Sequence, residues 1–345
     1  MISLSHELGR IGLIERENAT IMNACLRDLA VDIVEAFRAS LAASGIEAPL
    51  YLSQNDGTLM QVEYAERYPV ATFASGPTNS MRGAAFLSGL SDCAVVDIGG
   101  TTSDVGMLVN GFPREASVAV DVGGVRTNFR MPDVLSLGIG GGSLVQPDGA
   151  VGPESVGYEL TRRALVFGGD TLTATDLVVA SGRADVGDAT RVAGLDRSLV
   201  EGALARIERS VAETVDRMKT SAGPIPVVVV GGGSILLGER LAGASELRRP
   251  EHHAVANAIG AAIAQIGGEV DQIVSLESRT REEALDEARA EATERAVAAG
   301  ASRESVEIVD VEEVPLAYLP GNATRIRVKA VGELVLGGDA VALPR

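Results

Sequence analysis

The chain has 345 residues, of which 46% are hydrophobic but only 3% aromatic, and its formal net charge is −17. That length supports two domains or one large bilobal one, with a core of small aliphatic residues and Gly-rich connections. The acidic balance argues against nucleic acid and against an anionic membrane surface, because no basic surplus exists to displace counterions from phosphates.

From 17 to 44 apolar residues recur at helical spacing (Ile21, Ala24, Leu29, Ile33, Val34, Phe37, Leu41), and Gly45 is placed to end that helix. Residues 49–52 read as a short strand entering the polar turn Ser53-Gln54-Asn55-Asp56-Gly57. After Pro69, residues 70–73 are strand-like, and Ser75-Gly76-Pro77 leads into an Ala/Gly-rich helix over 78–87. Strands at 93–98, 104–109 and 116–122 follow in hairpin order, turning at Gly99-Gly100 and Asn110-Gly111. A Gly-rich turn at 138–143 precedes an irregular stretch over 146–196. A long helix over 196–220 comes next, then a strand over 226–230 that runs straight into Gly231-Gly232-Gly233-Ser234, then an Ala/Gly-rich helix over 252–266. Beyond 270 the composition shifts to a charged helix over 281–299 and strands near 305–311 and 324–331. This end reads as a small α/β appendage with its charges on a solvated face. The expected division is 1–269 and 270–345.

Only Cys25 and Cys93 are present, with three histidines and no metal-ligand spacing, so a reducing cytoplasm fits better than a disulfide framework. No basic, apolar leader and no 18-residue apolar run are visible, so neither a signal peptide nor a membrane span is expected.

The chemistry concentrates in residues 94–108, AVVDIGGTTSDVGML. A buried strand delivers Asp97 to its end, and a tight turn feeds the next strand. Gly99 and Gly100 lack a Cβ, which permits unusual φ values and close approach of a phosphate to backbone N–H groups. Thr101 and Thr102 add hydroxyls, and Asp97 stands where a Mg²⁺-bound water needs an anchor. An ordinary Gly-Gly hairpin is the plainer alternative. The strand ending in Gly231, Gly232, Gly233 and Ser234 lacks the GxGxxG spacing of a dinucleotide fold.

An acidic Gly-Gly-Thr hairpin, an Ala/Gly helix before it, a later strand–GGG turn and a second Ala/Gly helix resemble the second half of the actin, sugar-kinase and Hsp70 ATPase superfamily. Within it, SLSHELGRIGLIERENATIMNA, SQNDGTL, SGPTNSMRGAA, VVDIGGTTSDV, GIGGGS and GPESVGYEL, in this order, resemble the hydantoinase A/5-oxoprolinase family over roughly residues 3 to 265. The resemblance implies a ribonuclease H-like α/β fold with a mixed sheet and flanking helices. Residues 97–102 would be the second phosphate motif, 231–234 the adenosine motif, and 78–87 and 254–264 the two connecting helices. Family members begin with another phosphate-binding lobe, and this chain is expected to lack it. Asp121 to Thr127 has suitable letters for a substitute but is read as a loop.

The implied activity is ATP-dependent opening of a cyclic amide or imide, with Mg²⁺, a hydantoinase B-type partner chain and a possible homo-oligomer. Asp97, Asn55 and Asp56 are the candidate catalytic residues, with Asp97 also the metal anchor. Gly99, Gly100, Thr101, Thr102, Gly231, Gly232, Gly233 and Ser234 are the candidate nucleotide contacts. Asp104 would support Asp97. Glu154, Ser155, Asp176, Arg16 and Asn18 are weaker candidates. The competing readings are an actin- or Hsp70-like nucleotide switch without small-molecule chemistry, and an ATP-dependent ketone carboxylase subunit.

Overall fold

The first element of the computed structural model, which describes residues 2–5, 8, 12–116 and 119–335, is the long helix α1 (Ile14–Ala43). It is followed by β1 (Tyr51–Ser53), β2 (Thr58–Gln61), α2 (Val62–Arg67), α3 (Ser75–Ser88), β3 (Cys93–Ile98), β4 (Ser103–Val109) and β5 (Phe112–Pro113). A run of short strands comes next: β6 (Val120–Val122), β7 (Val125–Thr127), β8 (Val134–Leu137), β9 (Ser143–Val145) and β10 (Val151–Ser155). Then come α4 (Leu160–Arg163), α5 (Ala174–Ala180), α6 (Arg197–Met218), β11 (Ile225–Val230), β12 (Ala244–Arg248) and α7 (Ala256–Ala262). The chain closes with β13 (Gln265–Ser275), α8 (Arg281–Ala298), β14 (Glu307–Pro315) and β15 (Ala323–Gly332). Two compact units result: residues 1–75, 118–131 and 264–345 form one, and residues 76–117 and 132–263 the other.

The second unit is built on strands that are apolar on both faces and must therefore be covered on both. Its sheet runs β12-β11-β3-β4-β5, with β8 also paired to β4. β11 lies parallel to β3 and β12, whereas β3 and β4 form an antiparallel hairpin. Alternate residues point to opposite layers. Ala94, Val96, Val227 and Val229 pack with Leu177 of α5 and Leu204, Ile207 and Val211 of α6. Val95, Val228 and Val230 pack with Met81 and Ala84 of α3 and Ala256 of α7. Asp196 caps α6 by accepting from the Ser198 and Leu199 N–H groups, which satisfies two otherwise orphaned donors. α3 and α7 meet backbone to backbone: a Cβ on Gly83 would overlap the Ala256 carbonyl, and one on Gly260 the Asn79 carbonyl.

The first unit carries a five-stranded sheet, β1-β2-β13-β15-β14. α8 covers one face through a stripe of small residues (Ala284, Ala288, Ala292, Ala296) against Ile266, Val270, Ile326, Val328 and Ala330. The opposite face is charged. Along β15, Arg325 bonds Asp271, Arg327 bonds Glu269 at 2.7 Å, and Lys329 bonds Asp56 at 2.9 Å. The charges of α8 are on a solvated face as expected, but Arg327 and Lys329 of β15 are 7% and 5% exposed, so this face of the sheet is a buried ion-pair lattice. The period-2 alternation of TRIRVKA puts all three cations on one side of the strand.

Several expected boundaries move. The division at 269/270 falls inside β13, because β2 and β13 pair in parallel and join residues before and after it in one sheet. Residues 70–73 belong to a 3-10 turn, Pro69–Thr72, and not to a strand. The helix expected over 252–266 is regular only across Ala256–Ala262, after which the chain enters β13. The irregular 146–196 stretch contains the buried helix α5. On α1 the regularly spaced Ile21, Leu29, Ile33 and Phe37 are exposed, whereas Ala19, Asn23 and Val34 are the buried positions. Asp121 to Thr127 forms the β6–β7 hairpin, with Gly123-Gly124 at its turn.

Two measurements check this packing. Gly260→Ala is expected to lower unfolding free energy by ~1–3 kcal/mol through overpacking. Gly202→Ala, on α6 with open space where the Cβ goes, should instead raise it by about 0.5–1 kcal/mol in urea titrations. Burial alone would push the Asp56 carboxyl up, but Lys329 and the Thr58 bonds outweigh it and hold it at about 2. The stability this contributes is present above the ordinary carboxylate range and is lost as pH falls toward 2. Lys329→Met should therefore cost about 3–5 kcal/mol near neutral pH, with a smaller deficit in acid, where a protonated Asp56 no longer needs the cation.

Candidate functional site

The strand–turn–strand at Asp97 is held in the second unit by close packing of backbone on backbone. Asp97 is half-buried at the end of β3, opposite Asp104 of β4 and beside Val230 of β11. The turn closes with the Gly99 N–H donating to the Thr102 carbonyl at 2.9 Å. Neither Gly99 nor Gly100 has a left-handed φ, so conformational freedom is not what these glycines supply. Gly100 faces open space where a Cβ would go. Among the described residues, the N–H groups of Gly100 and Thr101 have no acceptor, and both residues are exposed. The turn thus presents bare donors at a surface, which is the arrangement an oxyanion needs.

Glycines that are sterically indispensable lie behind the turn, in two other segments. The Gly141 N–H donates to the Gly99 carbonyl at 3.0 Å and the Gly142 N–H to the Gly100 carbonyl at 2.6 Å. A Cβ on Gly140 would overlap the Gly100–Thr101 peptide. From the other side, a Cβ on Gly231 would overlap the Ile98 carbonyl and the Asp97 carboxylate, and one on Gly233 the Gly99 carbonyl. Gly231 also has a left-handed φ of 85°, and its N–H donates to the His253 carbonyl. The role of the 138–143 turn is visible only here: it fastens the Asp97 turn. Ser103 and Thr175 anchor it in turn, by donating to the Ile139 carbonyl at 2.6 Å and the Gly141 carbonyl at 2.8 Å.

The two carboxylates are electrostatically unusual. Burial raises the Asp97 carboxyl, a Ser80 hydrogen bond opposes that, and Asp104 pushes it up further. Burial also raises Asp104, opposed by the Ser136 hydroxyl, which donates to it at 2.5 Å. Two facing carboxylates with only hydroxyl donors suit a hard divalent cation or its water shell. Thus the donor set fits Mg²⁺. The Ser234 hydroxyl, at the start of a 3-10 turn after β11, is fully buried with no hydrogen-bond partner among the described residues.

The structure therefore brings Asp97, the 99–102 turn and Gly231 to Ser234 together through the parallel pairing of β3 and β11. Asn55 and Asp56 belong to the first unit. There Asp56 is bound by Lys329 and Thr58, and the Asn55 side chain donates to the Arg130 carbonyl. Asp176 closes a capping box with Thr173 and accepts from the Val166 N–H, which is structural. Ser155 reaches the Gly100 carbonyl at 3.4 Å, whereas Glu154 is exposed. In the first unit, Asn18 donates to the Arg126 carbonyl and is not a helix cap. No cluster of three or more metal-ligating side chains occurs among the described residues, nor is any described helix long and apolar enough to cross a membrane.

Comparison with known proteins identifies the family. The hydantoinase/oxoprolinase family profile matches residues 16–190, half of the chain. The chain belongs to the hydantoinase/oxoprolinase family. It is 27% identical over 191 residues to the acetophenone carboxylase gamma subunit of Aromatoleum aromaticum, covering 52% of this chain and 26% of that protein. It is 28% identical over 222 residues to an uncharacterized protein of Methanocaldococcus jannaschii, covering 59% of this chain and 33% of the relative. The fold is similar to ATP-dependent caprolactamase from Pseudomonas jessenii (TM-score 0.72, 18% identity, 96% of this chain and 60% of that one). It is also similar to nucleotide-free acetone carboxylase (TM-score 0.65, 18% identity, 96% and 59%). The expected α/β fold with mixed sheet and flanking helices is thereby borne out, and the chain spans about a third or less of the curated relatives it matches.

Gly100→Ala and Gly140→Ala separate binding from packing at this turn. Gly100→Ala is expected to melt within about 2 °C of the parent but to bind Mg·ATP at least tenfold more weakly, as read by calorimetric titration. Gly140→Ala should lose ~1–3 kcal/mol of stability in urea.

Proposed function

We propose that this chain is the nucleotide-handling component of an ATP-dependent enzyme that activates the carbonyl of a small cyclic amide for ring opening. The observation that carries this reading is the pair Asp97 and Asp104 beside a turn of unpaired N–H groups, backed by two glycine segments. ATP supplies a phosphoryl group to the amide oxygen, which makes the otherwise unreactive carbonyl carbon electrophilic towards water, the ring C–N bond being the one that breaks. Such a transfer asks the protein mainly for positioning and charge stabilisation.

In this reading Gly100 and Thr101 donate their N–H groups to phosphate oxygens, with the Thr101 and Thr102 hydroxyls beside them. Asp97, held with Asp104, anchors the Mg²⁺ that neutralises the phosphates. Gly231 to Ser234 lies against the nucleoside, with Gly232 open where a Cβ would go, and the buried Ser234 hydroxyl is the unassigned polar group there. Asn55 and Asp56 keep a structural role. A hydantoinase B-type chain completes hydrolysis, a division of labour supported by the subunit status of the acetophenone carboxylase relative. Cytoplasmic location accords with a free Cys25 and a buried Cys93 thiol that burial pushes up to about 12.

A second reading has one specific support: both a curated relative and a structural neighbour are ketone carboxylases by name. The same carbonyl activation would then serve an enol oxygen in place of an amide oxygen. ADP release by the chain assembled with a B-type subunit, measured across cyclic amides and small ketones, distinguishes the two. Asp97→Asn should lower that turnover at least ~100-fold. Unchanged turnover in this variant would refute the assignment of Asp97.

A further inference from the structure

A cavity of about 980 Å³ opens in the first unit, along an edge that its sheet leaves unpaired. β13 is 11 residues long, yet β2 pairs with it only at Gln265 and Ile266 before the chain turns off into α2. The other edge of β13 is paired with β15 from Ile266 to its end. The cavity lining takes β13 residues that belong to opposite faces, Gly268 and Gln272 as well as Glu269 and Asp271. It therefore runs beside the strand and not over one face of it. The Glu269 carbonyl points to this edge, where Arg295 of α8 donates to it at 2.5 Å. Backbone direction alternates along a strand, so Asp271, two residues on, turns its N–H and C=O the same way. Among the described residues neither group has a partner on that side.

The rest of the lining decides what such a pair of groups can hold. Met60, Tyr68, Val70 and Phe129 are all buried and give the cavity an apolar wall. The carboxylates that line it are all engaged: Asp56 is paired with Lys329, Glu269 with Arg327, and Asp271 with Arg325. A further cation, Arg16, also lines the cavity, so the site rejects a cationic ligand. The N–H and C=O of one edge residue lie side by side, and their complement is an acceptor and a donor that also lie side by side. A small ring holds its amide cis, with the N–H and C=O on one side. An open-chain amide is trans and turns them to opposite sides. A largely apolar cavity of this size with a few placed polar groups is of the kind that takes small molecules.

We propose that this cavity holds the cyclic amide itself, with the ring amide paired to the Asp271 N–H and C=O and the ring carbons on the apolar wall. The ligand class rests on the function proposed above, but the site is testable without ATP. The probe is 2-piperidone, titrated into the full ¹⁵N-labelled chain and followed by amide NMR. Saturable shifts are expected at Asp271 and its neighbours on β13. N-Methyl-2-piperidone, which lacks the donor, and open-chain N-ethylpropanamide, which is trans, should each bind at least ~5-fold more weakly. Ala298 lines the cavity from an exposed position at the end of α8. Ala298→Trp should weaken 2-piperidone at least about tenfold while Tm stays within about 2 °C. Equal affinity for the three amides overturns the proposal, as do shifts confined to other parts of the chain, or unchanged binding to Ala298→Trp. If Asp97→Asn leaves ring-dependent ADP release intact while 2-piperidone still titrates Asp271, the functional reading falls and the site stands. Ring-dependent ADP release with no shift at Asp271 gives the reverse.

Discussion

Everything at the candidate site depends on how closely backbone can approach backbone around the β3–β4 turn. Gly140 comes at it from one segment, Gly231 and Gly233 from another, and in each case a methyl group would overlap a peptide of the turn or a carboxylate oxygen. This three-way contact holds the Gly99 and Gly100 carbonyls inward through N–H donors of the 138–143 segment. The N–H groups of Gly100 and Thr101 remain outside, without acceptors. A turn fastened by its carbonyls and open at its amides needs no reorganisation to receive an anion, which is where preorganised sites gain their advantage.

The same device recurs one layer back. α3 and α7 touch through Gly83 and Gly260, and the contact brings Asn257 within hydrogen-bond reach of Ser80. Small residues in these helices are there for proximity, since the helices pack against the buried valines of β3 and β11 with little side chain between them. The site's acid and its donors are therefore positioned by covalent geometry and close packing, with few long side chains involved.

The first unit solves a different problem. One face of its sheet is sealed by an alanine stripe on α8, and the other is a lattice of Arg325, Arg327 and Lys329 against Asp271, Glu269 and Asp56. Buried ions are tolerated only when each is paired, because unpaired charge in low dielectric is strongly destabilising. Asp56 illustrates this. Its burial would raise the carboxyl, yet the lysine and two threonine donors hold it well below the usual range. A polar turn sequence such as Ser-Gln-Asn-Asp-Gly looks the same whether its acid is catalytic or structural. The cation that pairs with it lies 273 residues along the chain, out of reach of any local pattern.

Sequence alone determined the valine strands, the acidic Gly-Gly-Thr turn, the long helix over 196–220 and the ordered motifs that mark the family. Each is written in residues adjacent in the chain, where periodicity and composition are sufficient. It also placed Asp97 and Gly231 in one site, through the order of motifs. What it left open was which glycines matter sterically and why. Gly99 and Gly100 looked conformationally special and are not, whereas Gly140, with no evident task, backs the turn. Nor did it tell which apolar residues of α1 are buried, how short α7 is, or that the charges of β15 face inward. Those properties belong to contacts between segments far apart in the chain. Steric exclusion and desolvation act between whatever groups the fold brings together, and no local pattern names the partner.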